Sequence, residues 1–114
     1  MRQRDRDRFI RKAHTLIESL GATMGDDDRW HLETKAGELT LAVDGREYQT
    51  NGPGTVFTRF HEPKRAIEVV PGAHENPVHS TVNPHSGKWN FHYTGGWKVN
   101  DALEDLEYRL RGVI

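Results

Sequence analysis

Five of the seven histidines, His61, His74, His79, His85 and His92, fall in one part of the chain. Imidazoles hold a metal only when they converge on one point. A helical His-x-x-x-His or a strand His-x-His pair achieves that locally. Here the gaps are 13, 5, 6 and 7 residues, and neither pair occurs. The cluster reads as surface histidines in a polar loop, with charge that changes near neutrality. A His/Asn metal nuclease built on His79, His85 and Asn90 would need a strand-strand-helix finger, which the residues after Asn90 do not supply directly. Gly25-Asp26-Asp27-Asp28 sets three carboxylates in a row, but a calcium loop wants acids at alternate positions and a distal Glu. It reads as a solvated turn. Ser86-Gly87-Lys88 ends like a phosphate loop without the earlier glycine or the following Ser or Thr. His61-Glu62 and His74-Glu75 are neighbours, and neighbours on an extended chain point apart. Cysteine is absent. No catalytic residue, metal ligand or cofactor is therefore expected, and the chain reads as a binder rather than an enzyme. A histidine-dependent metal enzyme remains the third reading.

The most distinctive run is Asn83-Pro84-His85-Ser86-Gly87-Lys88-Trp89-Asn90-Phe91-His92-Tyr93. Asn-Pro and Ser-Gly are turn dipeptides. Beyond them the alternation predicts a strand with Trp89, Phe91 and Tyr93 on one face and Lys88, Asn90, His92 and Thr94 on the other. Three aromatics on one face can bury on the order of 500 Å². That face is expected to be core rather than a base-stacking platform, which leaves the Lys88-Asn90-His92 face as the candidate binding surface.

The elements that must position this strand follow from periodicity. Phe9, Ile10, Ala13, Leu16, Ile17 and Leu20 form one helical stripe, stopped by Gly21. A first helix is expected over about 4–20. Residues 29–34 and 38–43 alternate as strands, and Asp44-Gly45 predicts a tight hairpin into a return strand over 46–50. Residues 55–60 form a further strand with Val56, Thr58 and Phe60 on one face. A short helix is expected after Glu62-Pro63, then a long loop over 71–87 with a short strand at 78–82. Asn100 or Asp101 is expected to cap a last helix with the stripe Ala102, Leu103, Leu106, Leu110 and Val113. The order predicts an α+β domain spanning 1–114: a mostly antiparallel sheet of four to five strands, with N- and C-terminal helices packed on one face.

Composition narrows the function classes. A 114-residue chain can hold one real core. The net charge of −1 gives no global field for nucleic acid or membrane. No apolar run approaches the roughly 20 residues of a membrane span, and no signal peptide is expected. The absence of cysteine fits a reducing cytoplasm, so a cytoplasmic protein without disulfides is expected, and nothing sets an oligomeric state. Helix 1 carries Arg4, Arg8, Arg11 and Lys12, a candidate basic arm for phosphate, although Asp5 and Asp7 are interleaved with it.

Phe57-Thr58-Arg59-Phe60 with Lys64-Arg65-Ala66, followed by the 83–90 run, resembles small uncharacterised proteins of phages and other mobile elements. The resemblance covers roughly 30–93. It implies an accessory factor, such as an inhibitor of host defence of the anti-CRISPR kind, and carries no active site with it. The first expectation is a non-enzymatic protein with a protein partner, binding through Arg59, Lys64, Arg65, His85, Lys88, Asn90, His92 and Trp97. The alternative is a nucleic-acid-binding module using Arg4, Arg8, Arg11 and Lys12, together with Lys88, His92 and Lys98.

Overall fold

The computed structural model describes residues 3–44, 52–61, 82 and 86–114. The first helix, α1, runs Gln3–Ser19. Its stripe turns inward, with Phe9, Ala13 and Ile17 fully buried. Gly21, at φ 101°, ends it as expected: Ala22 N–H donates to Ile17 O at 3.4 Å and Gly21 N–H to Glu18 O at 3.0 Å. This pair of bonds satisfies carbonyls that a helix end would otherwise leave open.

Five strands follow: β1 Thr23–Met24, β2 Trp30–Thr34, β3 Gly37–Asp44, β4 Gly54–Phe60 and β5 Phe91–Tyr93. They form a single antiparallel sheet in chain order. The two-residue edge strand β1 has no periodic signal and was not expected. β3 takes β2 on one edge, over residues 37–41, and β4 on the other, over residues 39–44. The return strand expected over 46–50, the helix after Glu62-Pro63 and most of the 71–87 loop lie outside the described residues.

The second described helix, α2, runs Val99–Val113. It starts earlier than expected. Lys98 is the N-cap and makes no side-chain capping bond, so neither Asn100 nor Asp101 takes that role. Val99 belongs to the buried stripe with Ala102, Leu106, Leu110 and Val113. Burying a Val side chain gains about 1.5 kcal/mol or more, whereas a polar cap gains about 1 kcal/mol, so the helix extends to bury Val99. At its far end, Lys35 N–H donates to Val113 O at 2.7 Å, fastening α2 to the β2–β3 turn. No helix among the described residues is long and apolar enough to cross a membrane.

The core lies between the two helices and one face of the sheet. Register puts Trp30, Leu32, Leu39, Leu41, Val56, Phe60, Phe91 and Tyr93 on that face. Trp89 stacks on Phe60 with centroids 5.6 Å apart and meets Phe91 edge-on at 4.6 Å. All three aromatics of the 89–93 run are thus core, as their alternation predicted. β5 is shorter than the expected strand because the ladder changes hands next to it. Trp89 N–H still donates to Thr58 O at 2.9 Å. The return bond is replaced: Thr58 N–H goes to Asn90 Oδ1 at 3.2 Å, and the Thr58 hydroxyl donates to Trp89 O.

A charged pair, Asp105 and Arg109, sits inside this core. Asp105 is fully buried, and its Oδ2 accepts the Tyr93 hydroxyl at 2.9 Å and Arg109 Nε at 2.7 Å. The Arg109 guanidinium lies 5.0 Å from the centroid of the Phe91 ring. Burial, then the Asp105 charge, push the Tyr93 phenol well above its ordinary range, so it stays a donor. Removing one partner of such a pair strands a buried charge. Asp105→Ala is expected to lower the unfolding free energy by about 3–5 kcal/mol in urea titration, and Tyr93→Phe by about 1–2 kcal/mol. Equal, small losses in both would show that the carboxylate is not the anchor.

Candidate binding face of the sheet

Strand alternation sends every second residue to the face away from the helices. The register arranges these residues in rows across the strands. One row is Glu33, Glu38 and His61, with Glu33 directly opposite Glu38. The next is His31, Thr40, Arg59 and Lys88. The third holds Ala42 and Phe57, and the same β4–β5 register places Asn90 opposite Phe57. The fourth is Asp44, Thr55 and His92. A groove of about 850 Å³ lies over the middle rows, floored by Thr40 and Ala42 and walled by Arg29, Phe57, Arg59, Lys88, Asn90 and His61. No described element packs over it.

Charge is segregated on this face. On the β2 side, His31 bonds through both ring nitrogens: Nδ1 to Glu38 Oε1 at 2.9 Å and Nε2 to Asp27 Oδ1 at 3.0 Å. Only the imidazolium donates from both nitrogens. The bond to Glu38, then that to Asp27, raise the His31 pKa above its ordinary 6.5. In return the His31 bond lowers the Asp27 carboxyl below its ordinary 3.8. The bridge also relieves the cross-strand Glu33–Glu38 repulsion, since like charges placed opposite are unfavourable. Gly25 permits the approach: a Cβ there would sit 2.6 Å from His31 Nε2. On the β4–β5 side the charges are positive. Arg59 and Lys88 face each other across the strands, and Arg59 Nε donates to Ser86 O at 2.9 Å.

Of the residues expected to bind a partner, Arg59, Lys88 and Asn90 come together at this groove, with His92 one row further along the same face. Trp97 does not join them. It is half-buried on the core side, edge-on to Tyr93 at 5.0 Å. Lys64, Arg65 and His85 lie outside the described residues, as do His74 and His79. His61 and His92 do not converge. His92 pairs with Thr55, six residues before His61, a separation of about 20 Å along the strand. Among the described residues no group of three His, Asp or Glu side chains could hold a metal.

Arg4, Arg8, Arg11 and Lys12 share the face of α1 opposite its buried stripe, within roughly a third of the helix circumference. That face and the Lys88–His92 face lie on opposite sides of the two layers, so they form no common surface. Sequence reasoning missed Arg29, Phe57, and the Asp27–His31–Glu38 bridge. Outward alternation of His31 and Glu38 on consecutive strands was the signal that could have found the bridge.

The bridge makes stability depend on pH. The His31 part is fully present below the unfolded value near 6.5 and is lost as pH rises through the higher folded value. The Asp27 part is present above 3.8 and is lost as pH falls through its lower folded value. The urea midpoint of the parent is expected to fall between pH 6 and pH 8, while that of His31→Gln falls less. Parallel profiles would contradict the bridge. In comparison with known proteins, no family model, no curated protein and no solved structure matches this chain.

Proposed function

We propose that the chain is a small, non-enzymatic binding protein that docks a protein partner on the outer face of its sheet. The observation that carries this reading is the two-sidedness of the fold. Both helices cover one face, while the other presents a groove with Phe57 in its wall and a segregated set of charges. A half-buried aromatic ringed by polar groups is the usual make-up of a protein-contact patch. Phe57 meets His92 edge-on at 6.5 Å, which holds the ring in place. The resemblance to mobile-element proteins adds the setting: a cytoplasmic inhibitor of a host system, encoded by a phage. Site-specific photocrosslinking tests the surface. Benzoylphenylalanine at His61, on the groove rim, is expected to give one discrete protein adduct in host cells, and the same group at the exposed Thr15 of α1 none. Adducts from Thr15 alone would put the partner on the helix layer and overturn the reading.

The nucleic-acid reading rests on one observation, the shared face of Arg4, Arg8, Arg11 and Lys12. Asp5 and Asp7 flank that face, and the Gln3 amide donates to Asp7 Oδ1 at 2.9 Å. Anisotropy with labelled duplex DNA, single-stranded DNA and RNA decides it. Binding that falls steeply with salt and is lost in the Arg4, Arg8 and Arg11 to Ala variant supports this reading. No binding at low salt removes it.

A further inference from the structure

We infer that the β4–β5 wall of the groove is a carboxylate-binding site, which takes an acidic, extended segment of the protein partner. This rests on the proposed docking face and names the chemistry that the face selects.

The wall presents donors without acceptors. Asn90 Oδ1 accepts the Thr58 backbone N–H, and a backbone N–H can only donate. This fixes the amide orientation and leaves its NH2 group directed away from that bond, without a partner among the described residues. The Arg59 guanidinium is held through Nε by Ser86 O. Its two terminal nitrogens are therefore available as a fork, the arrangement that matches a carboxylate with two parallel bonds. Lys88 stands directly opposite Arg59. Among the described residues, neither of these cations nor Arg29 across the groove is ion-paired. Like charges set opposite on a sheet are unfavourable, and two of the nearby carboxylates, Asp27 and Glu38, are bonded to His31 instead. The fold thus keeps two facing cations and a fixed amide donor together, with no carboxylate bonded to them among the described residues.

The remaining features select the source of the anion. The floor between the walls is made of the small side chains Thr40 and Ala42 on β3, a trough that suits an extended chain. Asp27 and Asp44 line the same groove and Glu33 lies one row beyond it. A continuous phosphate backbone would be repelled by these groups, whereas single acidic side chains on a peptide can be spaced to avoid them. The chain as a whole carries −1, so no global field favours a polyanion.

The test uses a fluorescein-labelled eight-residue peptide of alternating Glu and Ser, read by anisotropy at low salt. The controls are the same peptide with Gln for Glu and a single-stranded oligonucleotide of similar length. The acidic peptide is expected to bind, the Gln peptide to bind at least about tenfold more weakly, and Arg59→Gln/Lys88→Gln to lose about tenfold. Both substituted side chains are exposed, so an unchanged urea midpoint would confirm that the variant folds; Lys35→Gln, at the exposed β2–β3 turn, should bind as the parent does. Equal binding of the Gln peptide, or undiminished binding by the double variant, overturns the inference. So does tighter binding of the oligonucleotide, which would make the anion a phosphate. If the peptide fails while the His61 adduct forms, the face docks its partner by other chemistry and only this inference falls. Failure of both removes the docking face itself.

Discussion

A single buried carboxylate oxygen orders the helix layer against the sheet. Asp105 Oδ2 lies between the last helix and the last strand and accepts from Tyr93 and from Arg109. Burying two charges costs more than most surface pairs return, and the arrangement holds only when both partners are in place. Arg109 then rests on Phe91, while the Tyr93 ring meets Phe9 of α1 edge-on at 5.8 Å. Both helices and β5 therefore meet at one point. A one-residue slip of β5 would carry Tyr93 away from Asp105 and turn the aromatics outward.

That constraint reaches the opposite surface. With Trp89, Phe91 and Tyr93 held inward, alternation leaves Lys88, Asn90 and His92 no choice of side. Asn90 then does two things at once. Its oxygen completes the ladder at Thr58, and its nitrogen is presented to the groove. On the far side of β3, His31 consumes the carboxylates of Asp27 and Glu38. One imidazolium thus offsets part of the charge of two carboxylates, while Arg59 and Lys88 are bonded to no carboxylate among the described residues. The electrostatics of the face follow from where His31 sits rather than from the near-zero charge of the chain.

Much of this was legible from periodicity. The stripe of α1, the alternation of β2, β3 and β4, and the inward aromatics of 89–93 are dictated by burial, which repeats with the element and so prints itself on the sequence. The start of α2 was misread because Val99 outweighs a polar cap, a tertiary gain invisible to local signals. The Asp105–Arg109 pair was overlooked for the opposite reason: charged residues at i and i+4 usually mark a solvated helix face, and only the neighbouring Tyr93 reveals a buried one. At the candidate site, Arg59, Lys88 and Asn90 were identified separately, but their meeting depends on strand register. Arg29, Phe57 and the His31 bridge depend on pairings between β2, β3 and β4 that no short motif encodes. Trp97 is expected from the sequence among the partner-binding residues, whereas its ring packs beside Tyr93.

The central claim is that the sheet face away from the helices is where a partner binds. The most direct measurement is amide chemical-shift mapping of the ¹⁵N-labelled protein during titration with the acidic peptide. The account predicts shifts at Thr40, Ala42, Phe57, Arg59, Lys88 and Asn90, with α1 unmoved. Shifts concentrated at Arg4, Arg8, Arg11 and Lys12, with the sheet face silent, would contradict it.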